Sequence, residues 1–150
     1  MNTTEYPLLN DFLYEAIFIP DGVEAPPKSI INSPELQVYV SDFGTQKHDH
    51  ALLAEIDGKV VGAVWVRIMN DYGHIDDTTP SFAISLYKEY RGQGIGTAMM
   101  KDMFTTLKTA GYKQASLSVQ KANYAAKMYL KLGFEIVSEN EEEYIMVKYL

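Results

Sequence analysis

Residues 81–111 read SFAISLYKEYRGQGIGTAMMKDMFTTLKTAG, and the change of rhythm inside this stretch decides the fold. Phe82, Ile84 and Leu86 alternate with Ala83, Ser85 and Tyr87, the period-two pattern of a strand. After Gly96 the pattern is that of a helix: Ile95, Met99, Met103 and Leu107 form an apolar stripe, with Met100 and Phe104 beside it. Gly111 stands where helices commonly end in a left-handed residue. A strand therefore feeds a glycine-rich turn, and the turn opens a helix. The first N–H groups of such a helix have no partner within it. With the helix dipole behind them they make an anion site, most naturally for phosphate.

Two familiar phosphate loops do not fit. A dinucleotide fingerprint needs Gly-x-Gly-x-x-Gly, whereas the glycines here are Gly92, Gly94 and Gly96, with Thr97 where the third should fall. A Walker loop ends in Gly-Lys-Ser/Thr, and this one ends Gly94-Ile95-Gly96-Thr97.

Upstream, apolar spacing predicts a helix over 8–19, with Asn10 and Asp11 as candidate caps and Pro20-Asp21-Gly22 as its stop. A short helix over 28–32, closed by Ser33-Pro34, and a strand over 36–40 follow. Residues 42–49 read as a loop. Runs over 51–56 and 60–69 are β-rich and joined by Asp57-Gly58, a strong hairpin signal. Downstream, Ala115, Leu117 and Val119 share one face of a strand over 115–119. Asn123 is placed to cap a helix carrying Ala125, Met128, Tyr129 and Leu132, which ends at Gly133. Strands over 134–137 and 144–150 flank the acidic run 139–143, a solvated hairpin tip. The order predicts one α+β domain, residues 1–150, around a mixed sheet.

The composition narrows the chemistry. At 150 residues, 47% of them hydrophobic, the chain can bury a core without staples. It has no cysteine, so disulfides, thiolate metal sites and a cysteine nucleophile are out. A net charge of −7 argues against nucleic acid, which needs a basic face, and suits a cationic substrate. No apolar run reaches about 18 residues and no export signal opens the chain, so the expectation is a cytoplasmic protein without a membrane span. His48-Asp49-His50 has metal-ligand residue types but no fixed third partner, so no metal site is expected.

The turn Arg91-x-x-Gly94-x-Gly96 resembles the Gln/Arg-x-x-Gly-x-Gly/Ala turn of the GNAT superfamily of N-acetyltransferases. Further on, Asn123, Ala126, Tyr129, Gly133 and Phe134 resemble that family's second signature, in the same order and at the usual distance. The Asn-to-Tyr interval is one residue shorter than in some members. With the 51–69 hairpin, the resemblance covers residues 51–150. It implies a splayed, mostly antiparallel mixed sheet flanked by helices, with the strands over 82–87 and 115–119 diverging. The pantetheine arm of coenzyme A would fill the wedge, pairing with backbone groups of Ile84, Ser85 and Leu86. Its pyrophosphate would lie on the N–H groups of Gly92, Gln93, Gly94, Ile95, Gly96 and Thr97, with Arg91 and Gln93 as side-chain candidates and Asn123 and Tyr129 nearby.

The resemblance further implies transfer of the acetyl group of acetyl-CoA to an amine, on a small molecule or a protein, and dimers are frequent among similar proteins. Without cysteine, direct transfer in a ternary complex is the simpler expectation. Tyr129 matches the family's general acid. For the base, Asp76 and Asp77 precede the central strand beside His74; Glu15, Glu55 and Glu89 are alternatives, as is ordered water. Trp65, Arg67 and Tyr72 are candidate pocket residues. The competing reading is a binding module for acyl-CoA that has lost transfer and acts as a sensor or partner protein.

Overall fold

The computed structural model describes residues 4–17, 19, 22–69 and 74–150. Six strands form one sheet: β1 (His50–Ile56), β2 (Lys59–Arg67), β3 (Ser81–Leu86), β4 (Gln114–Gln120), β5 (Glu135–Glu139) and β6 (Glu143–Tyr149), in the order β1-β2-β3-β4-β6-β5. All neighbours are antiparallel except β3 and β4, which run parallel and share a single pair, Ser81 with Ser116. The architecture is thus α+β, with a mixed, mostly antiparallel sheet flanked by helices. The β1–β2 turn uses Asp57 and Gly58 at φ of 51° and 79°, the doubly left-handed geometry that matches strand twist.

Four α-helices accompany the sheet among the described residues: α1 (Leu8–Glu15), α2 (Pro34–Gln37), α3 (Ile95–Thr109) and α4 (Ala125–Lys131), with a 3₁₀ turn over Lys28–Asn32. Alternation along the strands sorts side chains to two faces. Val64, Val66, Phe82, Leu86, Leu117 and Val119 join Met99, Met100, Met103 and Leu107 of α3 and Tyr129 of α4. On the other face, Ala63 and Trp65 pack with Leu9, Phe12 and Leu13 of α1 and with Val40 and Phe43. Gly62 allows the first face to close. A Cβ there would stand 2.4 Å from Leu86 Cδ2, 3.0 Å from the Ser85 carbonyl oxygen and 3.1 Å from Met99 Cε, so a larger residue would force these neighbours to shift.

The structure corrects the expected strand over 36–40. That segment is helical at Pro34–Gln37 and then turns. Leu36, Tyr39, Val40 and Phe43 fall at i, i+3, i+4 and i+7 and pack on the α1-side core, so the helical period was the operative one. Helix α1 ends at Glu15, short of the expected 19, and its N-cap is Pro7 with no side-chain cap, so neither Asn10 nor Asp11 caps it. Pro20, Asp21 and Tyr72 lie outside the described residues. No helix among the described residues is long and apolar enough to cross a membrane.

Arg67 is buried and organises the loop between α2 and β1. Its Nε and Nη2 donate to Asp49 Oδ1 and Oδ2, each at 3.0 Å, and its Nη1 donates to the carbonyls of Val38 at 3.1 Å and Ser41 at 2.8 Å. Asp49 Oδ2 also accepts from the N–H groups of Gly44 and Gln46. Asp49 is therefore spent on the fold. His48 Nδ1 and His50 Nε2 both approach the Tyr112 hydroxyl, at 2.5 and 3.4 Å, and burial and the neighbouring His48 lower the His50 pKa. Among the described residues no three His, Cys, Asp or Glu side chains converge as metal ligands. Trp65, also buried, donates Nε1–H to the Tyr39 carbonyl, so both Trp65 and Arg67 belong to the core.

Replacing one member of a buried ion pair strands the other charge. Asp49→Ala should lower unfolding free energy by about 3–5 kcal/mol in urea titrations. A loss below about 1 kcal/mol would mean that water reaches Arg67 and pairs it instead.

Candidate active site

The site begins where β3 and β4 part. Along β3, residues alternate in the side to which their backbone groups point. Tyr87 N–H donates to Val61 O on β2, whereas Pro80 O accepts from Ser116 N–H on β4. By that alternation Ser85 faces β2, and Ile84 and Leu86 present their N–H and C=O groups toward β4. Both lie beyond the one β3–β4 pair, so β4 does not satisfy them. Ser85 is occupied on both counts, since its hydroxyl donates to Phe12 O of α1 at 2.7 Å.

The strand then passes through a 3₁₀ turn, Lys88–Tyr90, into the glycine-rich segment. Gly92 and Gly94 have φ of 76° and 82°, and Gly94 is the N-cap of α3. A side chain at either position would be strained by that backbone, although space is open around both. None of the N–H groups of Gly92 to Thr97 finds an acceptor among the described residues, as expected ahead of and in the first turn of a helix. Gly96 sits close to two elements: a Cβ there would lie 3.7 Å from Met128 Sδ of α4 and 3.8 Å from Leu86 Cδ1. Ile95 packs into the α3-side core.

The two polar side chains of the turn are already engaged. Arg91 Nε donates to Leu86 O at 3.0 Å, and its Nη2 donates to Glu15 O at 3.1 Å and to Glu15 Oε2 at 3.3 Å. Gln93 Nε2 donates to Glu89 O at 3.0 Å. The N-cap of α4 is Tyr124 and not Asn123, which stands one residue earlier, its Oδ1 accepting from Ala125 N–H at 2.9 Å.

Tyr129, one residue beyond Met128, is 8% exposed and stacks edge-on against Phe134 at 5.8 Å. Burial pushes its phenol up to about 12. The hydroxyl makes no hydrogen bond to a described residue, yet no buried side-chain polar atom is left unpartnered, so the oxygen keeps contact with solvent.

The carboxylates are elsewhere. Asp76 Oδ1 accepts from Thr78 N–H, the Thr78 hydroxyl and the Thr79 hydroxyl, and these bonds, the Thr78 amide first, hold its carboxyl below the usual range. Asp77 is exposed and lies 3.6 Å from His74 Nε2. Both precede Ser81, at the paired end of β3, and the strand runs roughly 16 Å from there to Leu86 at about 3.3 Å per residue. Glu55 is exposed on the edge strand β1, two strands from the gap, and Glu89 is exposed in the 3₁₀ turn. The acidic residues Asp11, Glu15 and Glu89 act, after burial, to raise the Tyr87 phenol.

Residues 17–134 match the model of the acetyltransferase (GNAT) family. The chain belongs to the GNAT family of acetyltransferases. It is 26% identical over 137 residues to an uncharacterized N-acetyltransferase of Methanocaldococcus jannaschii, covering 85% of this chain and 84% of that one. It is 28% identical over 109 residues to an N-alpha-acetyltransferase of Sulfurisphaera tokodaii, covering 63% of this chain and 65% of the relative. The fold of this GNAT protein matches PaiA N-acetyltransferase from Thermoplasma acidophilum, solved with coenzyme A, at a TM-score of 0.72 and 18% identity over 100% of this chain and 96% of that one. It also matches the ribosomal-protein-S18-alanine N-acetyltransferase of Escherichia coli at 0.68 and 17%, over 99% of this chain and 90% of that one. At such identities these structures speak for the fold alone.

Of the residues singled out in the sequence, Gly96 of the glycine turn lies against Leu86 of β3 and Met128 of α4, which brings the start of α3 next to the unpaired end of β3. Sequence reasoning missed Gly62, whose isolated place in a β-rich run was the available sign, and the Arg91–Glu15 contact, for which there was none.

The buried phenol gives a titration test. A phenol whose folded pKa is raised favours the folded state below its unfolded value near 10, and that contribution is lost as pH rises from about 10 through about 12. In ultraviolet titration of the folded protein, Tyr129→Phe should leave the absorbance change up to pH 11 intact and remove amplitude only above it. Loss of amplitude near pH 10 would show an ordinary, solvated tyrosine.

Proposed function

We propose that this protein transfers the acetyl group of acetyl-CoA directly to an amine within a ternary complex, with residues 1–150 acting as one catalytic domain. The single observation that carries the reading is the gap between β3 and β4, opening onto the unpaired row of amides at the start of α3. The pantetheine arm carries amides that can satisfy the Ile84 backbone groups as an added strand would, leaving the Leu86 N–H for the reacting carbonyl. The pyrophosphate suits the Gly92 to Thr97 N–H groups, because positive φ at Gly92 and Gly94 aims successive amides at one anion. That the Thermoplasma PaiA was solved with coenzyme A supports the same ligand here.

The chemistry then needs three services. The acceptor, an ammonium of reference pKa about 10.4 if it resembles lysine, must lose a proton. Asp76 and Asp77 lie at the far, paired end of β3, which favours ordered water as the carrier of that proton to solvent. Nitrogen attacks the thioester carbonyl, and the Leu86 N–H, aimed into the gap, is a donor for the developing oxyanion. The attacking nitrogen gives up its second proton to water, the carbon–sulfur bond breaks, and sulfur leaves as a thiolate that takes a proton. Tyr129, with its pKa near 12, is always protonated at working pH. A thiolate of reference pKa about 8.5 is a weaker base than tyrosinate, so Tyr129 acts by hydrogen-bonding the sulfur as charge builds, with solvent restoring any proton passed on.

The net charge of −7 favours a cationic acceptor over an acidic one. The relatives named as N-acetyltransferases, one of them an N-alpha-acetyltransferase, support an amino group on a small molecule or a polypeptide as the target.

Thiol release from acetyl-CoA across polyamines, aminoglycosides, amino acids and peptides with free N-termini should reveal at least one acceptor. Tyr129→Phe should then lower kcat by about 100-fold with coenzyme A affinity near wild type. An intact thioester with every amine would leave a protein that binds acyl-CoA without transfer, and an unchanged kcat would return Tyr129 to the core.

A further inference from the structure

The turn motif directs attention to Arg91 as a phosphate ligand, but its hydrogen bonds run the other way. Three donor contacts are directed into the protein. Nε reaches the Leu86 carbonyl, which points away from β2 toward the gap, because the Tyr87 N–H of the same peptide donates to Val61 on β2. Nη2 reaches both the backbone carbonyl and the side-chain carboxylate of Glu15, the last residue of α1. A helix C-terminus has unpaired carbonyls and a negative dipole end, so a guanidinium there satisfies both. The planar fork lets one side chain serve two acceptor sites at once, which a lysine does less well.

The two elements so joined lie on opposite sides of the chemistry. Helix α1 covers the sheet face of Trp65 and Ala83, with Ser85 donating to its Phe12 carbonyl. The glycine turn leads into α3, which covers the other face. We propose that Arg91 is a positioning residue, tying the C-terminal end of α1 to the open edge of β3 so that loading the phosphate turn on one face orders that helix on the other. This rests on the coenzyme A reading above for its trigger, but the tie itself stands on the hydrogen bonds. Arg91 then contributes little to holding phosphate, and much to the order of α1.

Hydrogen–deuterium exchange and calorimetry on wild type and Arg91→Ala separate the alternatives, with coenzyme A and pantetheine as the two ligands. Arg91 is about one-third exposed (38%), so the variant should fold. If Arg91 is the tie, amides of residues 8–17 exchange about tenfold faster in the variant, and coenzyme A slows them in wild type but not in the variant. The affinities of coenzyme A and pantetheine should each change by less than about threefold. A fall of tenfold or more for coenzyme A, with pantetheine unaffected, would make Arg91 a phosphate ligand and overturn the proposal. Unaltered exchange over 8–17 would overturn it as well, reducing the contact to an idle surface pair. Glu15→Gln supplies a second arm: it should accelerate the same amides, whereas freeing a phosphate-binding arginine would leave them unchanged and tighten coenzyme A. Should wild type bind no coenzyme A at all, the functional reading fails, while faster exchange in the variant would still establish the tie.

Discussion

Two parallel strands that share one pair of residues leave main-chain groups that no neighbouring strand bonds. That unfinished ladder between β3 and β4 is the constraint on which the rest of this molecule depends. Buried or half-buried backbone groups cost free energy when unpaired, so an open ladder persists only where solvent or a ligand completes it. Here the ladder is open at Ile84 and at the Leu86 N–H, the Leu86 carbonyl being held by Arg91 Nε, and the chain turns immediately afterwards to present a second set of unpaired donors at the start of α3. One direction of chain travel thus offers strand-like pairing and then an anion site, in the order in which an amide-bearing arm joins a pyrophosphate.

Holding such a gap open requires rigidity on both faces. On one, the absence of a side chain at Gly62 lets Leu86 and Met99 pack to contact, fixing α3 over β2 and β3. On the other, α1 is pinned by the Ser85 hydroxyl to Phe12 and by Arg91 to Glu15. Beyond α1, the buried Arg67–Asp49 pair gathers the carbonyls of Val38 and Ser41 and the amides of Gly44 and Gln46 into one network. A buried ion pair is a costly way to gain stability, but it fixes a geometry that an apolar contact would leave looser. The loop it fixes packs through Val40 and Phe43 against the same core as α1.

Much of this was legible in the sequence because it is written in local periods. The switch from alternation to a helical stripe across residues 81–111, the Asp57-Gly58 turn, and the Asn123 side-chain bond to the start of α4 each involve residues within a few positions of one another. The failure at residues 36–40 was also local: five residues fit either period, and only the packing of Phe43, one step farther on, decides between them. What could not be read is what joins distant positions. Asp49 and Arg67, and Glu15 and Arg91, are ordinary charges until the fold brings them together. Asp76 illustrates the reverse. A carboxylate just before a catalytic strand invites a chemical role, and the two threonines beside it instead tie it into a turn at the paired end of the sheet.

The most direct measurement is amide chemical-shift mapping with coenzyme A on uniformly labelled protein. The account predicts that the largest shifts fall on the N–H groups of Ile84 and Leu86 and on those from Gly92 to Thr97, with pantetheine alone moving only the first set. Shifts that leave these amides untouched, or that centre on another part of the sheet, would contradict it.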